Sequence, residues 1–388
     1  MFRRLHKTLS PSHCWCALFA LVLAIPLSSP AVGKSHTSPI VIAHRGASGY
    51  LPEHTLEAKA LAYGMRADFI EQDLVLSKDG HLIVTHDIYL DGVTDVASRF
   101  PERVRDDGHF YAIDFTLEEL KQLRVSETFA SHLGLQVPKY PERFPLWKSS
   151  FQLSTFEEEL ELIQGLNKSL GYNTGIYPEI KKPAFHRREG LDISRKVLEV
   201  LKQYGYINSQ QKVFLQCFDA EELQHIHATL MPELDMDLPL VQLIAESQWG
   251  EKRIKRDGKW VNYDYDWMRT EKGLERIAQY ASGIGPWYPM LLDSSDGAPA
   301  VNELTRKAHA LGLKVHPYTF RADAGQLPAN VTSFDGLLAL YINQVSVDGL
   351  FTDHPDKVRA YLQQRENTSR STKVTPTNQA PEDNYPKD

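Results

Sequence analysis

Apolar residues recur along this chain in short continuous runs that begin near residues 40, 69, 174, 212, 238, 283, 314 and 347. Continuous rather than alternating apolarity is the pattern of strands covered on both faces. Between the runs, apolar positions fall at helical spacing over 52–63, 156–170, 191–204, 219–230, 274–280, 300–311 and 334–342, with a last short helix ending near 362. Asp219, three residues before Glu222, predicts a capped helix start with a capping box. Asp79-Gly80 turns the chain back into 82–85, a hairpin appended to the second strand. Eight strands, each followed by helical material, predict an α/β fold of the (β/α)8 TIM barrel type. An open doubly wound sheet gives the same alternation, but polar residues (His44, Glu71, Asp73, Glu179, Lys181, Gln216, His316 and Asp348) recur across six of the runs. In an open sheet such residues would converge only at a switch point.

The alternation breaks between residues 88 and 153, where prolines, aromatics and Asp-Gly turns leave one helical candidate at 117–123. A break this long inside a domain predicts an inserted lobe, placed over the mouth of the barrel. Residues 365–388, rich in Thr, Ser, Asn, Pro and charge, predict a disordered tail. At the other end, Arg3, Arg4, His6 and Lys7 precede an apolar run at 15–27 and then small residues. That order predicts a signal peptide over 1–33 and a domain over 34–364, exported across the inner membrane to the periplasm.

Composition narrows the partners. The net charge is −7 over 388 residues, and no Lys/Arg run is present, which argues against nucleic acid. No apolar run after residue 33 is long enough to span a bilayer, so no stable membrane insertion is expected after cleavage. Of the three cysteines, Cys14 and Cys16 lie in the leader, and Cys217 alone remains. An exported chain of this length can stand without a disulfide. Nothing in the pattern sets an oligomeric state.

The candidate chemistry gathers in 39–87. Glu71 and Asp73 are two apart on one strand and so face the same side. Paired carboxylates repel unless a cation or proton lies between them. With Glu179 from the third strand they form an oxygen-only set suited to a hard divalent cation, calcium ahead of magnesium. His44 and His86 are candidates for proton transfer near neutrality. Arg45 and Lys181 can meet phosphate oxygens. Together these describe a phosphoester site. Glu53, Gln216, Phe218, Trp287 and Tyr318 are candidate pocket residues.

HRGASGYLPEHT, EQD, THD, PEIK, HPYTF and DGLFTDHP, in that order, resemble the motifs of the glycerophosphodiester phosphodiesterase family, particularly its secreted bacterial branch. The resemblance spans roughly 39–362. It implies a TIM barrel with an inserted lobe and hydrolysis of glycerophosphocholine, glycerophosphoethanolamine and similar small molecules to sn-glycerol 3-phosphate and an alcohol. It implies metal carboxylates at Glu71, Asp73 and Glu179, acid/base histidines at His44 and His86, and phosphate-binding cations at Arg45 and Lys181. Which histidine is acid and which is base stays open, as does attack by water against a cyclic phosphate route. A phospholipase D-type enzyme acting on intact lysolipid or sphingolipid is the alternative. Such relatives are shorter and carry disulfides, which the lone Cys217 does not support.

Overall fold

Eight short parallel strands follow one another in chain order, each paired with the next except the seventh and eighth: Ile40–Ala43, Phe69–Leu76, Gly175–Ile180, Leu215–Cys217, Leu240–Ile244, Gly283–Pro286, Lys314–Val315 and Gly349–Thr352. In this computed structural model the described residues are 38–132, 135–293, 300–328 and 330–373. The expected leader and the end of the expected tail lie outside them. The first strand pairs with the eighth, Ile40 opposite Gly349 through Ala43 opposite Thr352, which an open doubly wound sheet would not do. Backbone bonds from Phe351 N to the Pro317 carbonyl (3.0 Å) and from Asp348 N to the Val315 carbonyl (3.1 Å) span the last seam of a nearly closed barrel.

The barrel interior is aromatic. Tyr177 stacks on Phe214 and meets Phe351 edge-on, each at 5.0 Å between ring centroids. Its hydroxyl pairs with His316 Nδ1 at 2.9 Å, so the one polar atom of this packed layer has a partner. Burial of each such ring stabilises the fold by about 2 kcal/mol. His316 therefore belongs to the packed interior beneath the mouth. Asp348 is also displaced from its expected place: it precedes the eighth strand, at the opposite end of the barrel, and pairs with His309 (2.8 Å) and Lys314 (3.0 Å).

Helix Phe156–Leu170 has the bounds expected, with Thr155 and Glu158 closing a capping box and Gly171 left-handed at φ 71°. Other boundaries shift for local reasons. The first helix starts at Leu56, because His54 is left-handed (φ 60°) and Thr55 caps the Ala58 N–H. Asp219 caps its helix, but Glu222 does not complete the box; its carboxylate is taken by Arg187 at 2.6 Å. Ala300–Val301 pairs with Leu292–Asp293 as a ribbon, so the next helix begins at Leu304. The final helix, Pro355–Lys373, continues into the segment expected to be disordered.

The inserted lobe has its own apolar cluster, built around Leu90, Val96, Phe115 and Phe151, and is joined to the barrel through Val75 and Ile83. It holds a hairpin, Phe129–His132 with Leu135–Pro138, that its sequence pattern does not announce.

Candidate active site

The strand ends bring the candidates to one mouth. His44 and Arg45 follow the first strand, Glu71 and Asp73 lie on the second, Glu179 ends the third with Lys181 just beyond, and Gln216 is on the fourth. His86 arrives from the hairpin. All of these line a single cavity of about 290 Å³, with Phe218, Trp287 and Tyr318 on its walls. Glu53 does not line it. Its carboxylate binds Arg45 Nη1 at 2.8 Å and Thr128 Oγ1 at 3.3 Å, so it holds the arginine from behind.

Glu71, Asp73 and Glu179 each offer one oxygen within 4.8 Å of the others, and all three are buried. Burial, reinforced by Asp73, pushes the Glu71 carboxyl well above the usual range. Glu179 is pushed up to about 8, chiefly by burial, against the pull of Lys181. Burial would raise Asp73 too, yet Lys181 and a hydrogen bond from His54 hold it well below its ordinary value. Asp73 Oδ1 has no hydrogen-bond partner among the described residues. Three buried carboxylates with an unsatisfied oxygen and mutual repulsion fit a hard cation through oxygen ligands.

Lys181 Nζ lies 2.8 Å from Glu179 Oε1 and 3.7 Å from Asp73 Oδ1, so it neutralises the carboxylate cluster as well as facing the cavity. Gln216 Nε2 donates to Glu71 Oε1 at 3.3 Å. Behind Asp73, His54 Nε2 lies 2.8 Å from Oδ2, and fully buried Lys59 lies 3.2 Å from His54 Nδ1 and 3.1 Å from Glu159. The lysine, a donor only, makes Nδ1 the acceptor, which leaves Nε2–H to point at Asp73.

The loop after the first strand is set by its glycines. A Cβ on Gly46 would meet the Ala58 carbonyl carbon at 2.8 Å, and Gly46 sits at φ 89°. Arg45 itself is left-handed at φ 60°, which turns its backbone N–H onto Glu71 Oε2 at 2.7 Å. His44 Nδ1 lies 2.6 Å from Asp353 Oδ1, and its Nε2 lies 4.0 Å from Glu71. Burial lowers the His44 imidazole to about 4, with Arg45 acting the same way and Asp353 opposing. His86 is more open, its side chain 32% exposed and its Nδ1 3.0 Å from Asp87.

The sequence profile of the glycerophosphoryl diester phosphodiesterase family matches residues 44–357, which contain every side chain of this site. The chain belongs to that family. Its similarity extends to glycerophosphodiester phosphodiesterases of Haemophilus influenzae, 48% identical over 85% of this chain and 91% of the relative, and of Treponema pallidum, 42% identical over 82% and 90%. Among solved structures, an Oleispira antarctica phosphodiesterase in complex with the product sn-glycerol-3-phosphate matches with TM-score 0.53 at 22% identity, over 84% of this chain and 97% of that one. A glycerophosphodiester phosphodiesterase of Agrobacterium tumefaciens matches with TM-score 0.51 at 18% identity, over 83% and 99%. At those identities the two structures speak to the fold, and the barrel of this family member agrees with them.

Arg321, Trp249 and Glu251 on the cavity wall, and Asp353 behind His44, escaped sequence reasoning. Asp353 lies inside the quoted DGLFTDHP motif, and Arg321 directly follows HPYTF; Arg321 Nε reaches Asp353 Oδ2 at 2.8 Å. Trp249 and Glu251 come from the polar stretch after the fifth strand, where no motif marks them. Trp249 meets Trp287 edge-on at 5.1 Å.

Proposed function

We propose that this chain hydrolyses glycerophosphodiesters such as glycerophosphocholine and glycerophosphoethanolamine to sn-glycerol 3-phosphate and the free alcohol. The observation that carries this reading is the buried Glu71, Asp73 and Glu179 cluster sharing one cavity with His44, His86, Arg45 and Lys181, in a chain of this family.

Each residue has a task its surroundings support. Arg45 and Lys181 offer charge to phosphate oxygens. With Asp353 accepting from Nδ1–H, neutral His44 presents a bare Nε2 lone pair toward the cavity, which suits it to take the proton from the attacking oxygen. His86, on the open side, is then assigned to protonate the departing alcohol. The hydroxyl of Tyr318 is spent on the Ile244 carbonyl at 2.8 Å, so its ring, with Phe218 and Trp287, is left to pack on glycerol carbons. Glu71, Asp73 and Glu179 would hold a divalent cation, which would supply Lewis-acid charge at the phosphate; calcium is the proposed ion and magnesium the competitor. The nucleophile is water or the substrate's own glycerol hydroxyl, and phosphorus NMR under turnover separates them through the cyclic phosphate that only the second route forms.

We place the enzyme in the periplasm on the strength of the leader expected at 1–33, which cell fractionation tests. No helix among the described residues is long and apolar enough to cross a membrane. For the reaction itself, glycerophosphocholine should yield equimolar choline and sn-glycerol 3-phosphate. Phosphocholine plus glycerol, or choline released only from intact lysophosphatidylcholine, would overturn the proposal.

A further inference from the structure

A second cavity of about 140 Å³ lies beside the first and shares His44, Arg45, His86 and Arg321 with it. Its far wall belongs to the inserted lobe, through Tyr89, Thr128, Lys139 and Tyr140. The phosphate-facing Arg45 and both histidines thus form the boundary between two chambers. The first has the aromatic walls suited to glycerol, so the alcohol on the other side of the phosphate falls to the second.

The charged side chains of the second chamber are paired with one another, with one exception. Glu53 is engaged by Arg45 at 2.8 Å and Asp87 by His86 at 3.0 Å. Asp353 is engaged by His44, Arg143 and Arg321 at 2.6, 2.6 and 2.8 Å. Arg143 is further held by Asp323 at 2.7 Å and stacks over the Tyr140 ring at 3.8 Å. Lys139 differs from these three arginines. Among the described residues its Nζ forms no ion pair and no side-chain hydrogen bond, and its one contact of note is with the Tyr140 ring at 5.7 Å. Burial, then the nearby positive charge of Arg45, lowers its pKa, with Arg321 acting the same way and Glu53 and Asp87 opposing. An exposed ammonium without a partner at the rim of this chamber is a place for an anion.

We propose that Lys139, carried over the mouth by the inserted lobe, selects glycerophosphodiesters whose alcohol bears an additional negative group, a carboxylate or a second phosphate. The inference rests on the hydrolysis proposed above and names the part of the substrate that the lobe reads. Glycerophosphoserine and glycerophosphoethanolamine differ by one carboxylate, so their comparison isolates it; the ammonium they share cancels in the ratio.

The test is the ratio of kcat/KM for glycerophosphoserine to that for glycerophosphoethanolamine in wild type, Lys139→Gln and Lys139→Arg. Loss of one partly exposed charge contact should lower the ratio about five-fold in Lys139→Gln, with Lys139→Arg restoring most of it. A parallel arm with a bis(glycerophospho)glycerol substrate distinguishes a second phosphate from a carboxylate as the preferred group. Equal ratios in wild type and Lys139→Gln in both arms overturn the subsite while leaving the hydrolysis intact. Wild-type protein that releases no sn-glycerol 3-phosphate from any of these substrates overturns the hydrolysis as well.

Discussion

His44 Nδ1 and Asp353 Oδ1 lie 2.6 Å apart although 309 residues separate them in the chain. The first and eighth strands are neighbours in the barrel, so the two residues meet where the ring closes. Asp353 fixes the tautomer of His44, and it is itself pinned by Arg143 and Arg321. Asp353→Asn keeps the shape but loses the charge. It should lower kcat about 100-fold with little change in KM or in calcium affinity measured by calorimetry. A kcat within three-fold of wild type would remove Asp353 from the proton-transfer apparatus.

The Lys59 pair behind Asp73 makes a stability prediction. Lys59 and Glu159 are both fully buried and 3.1 Å apart. Lys59→Met strands a buried carboxylate and should cost about 3–5 kcal/mol in urea unfolding. The double variant Lys59→Met/Glu159→Leu should recover a large part of that loss. Equal stability of the single and double variants would mean the pair is not coupled.

His186 predicts an acid limb. It is buried, neither ring nitrogen has a hydrogen-bond partner among the described residues, and burial lowers its pKa to about 3. At pH 7 folded and unfolded states are both neutral there. As pH falls below 6.5, the unfolded chain takes up a proton that the native state refuses, so stability is lost progressively down to about pH 3. Between pH 6.5 and 5 that amounts to about 2 kcal/mol at most. His186→Leu should flatten this part of the profile in urea midpoints taken at both pH values. An unchanged slope would contradict the linkage.

Much of this arrangement is legible in the sequence because strand alternation and short motifs are local signals. Glu71 and Asp73 share a face by period alone, and the apolar spacing over 156–170 marks the helix with the bounds the structure gives it. Asp353, His54 and Lys59 were missed as functional partners because their roles depend on pairings across the barrel or through its wall. Glu222 shows the converse: local spacing offers it to Asp219, and tertiary contact with Arg187 wins. Asp348, counted with the polar residues of the eighth run, lies just before that strand, because apolarity marks a strand without marking which end a polar neighbour occupies. Glu53, close in sequence to the loop after the first strand, serves Arg45 from the second cavity.

The carboxylate cluster predicts separate effects on binding and turnover. Glu179→Gln should weaken calcium binding at least ten-fold in calorimetry, because it removes one of three oxygen-donor charges. His86→Ala should leave calcium binding near wild type while lowering kcat about 100-fold or more. Unchanged turnover in His86→Ala would remove it as the proton donor.

Turnover of glycerophosphocholine by chelator-stripped protein, before and after return of calcium, tests the central claim most directly. The stripped wild type should release no sn-glycerol 3-phosphate, and micromolar to millimolar calcium should restore equimolar sn-glycerol 3-phosphate and choline. Glu71→Gln should stay inactive at the same calcium concentrations. Full activity in the stripped wild-type protein, or in Glu71→Gln, would contradict a metal-assisted site built on Glu71, Asp73 and Glu179.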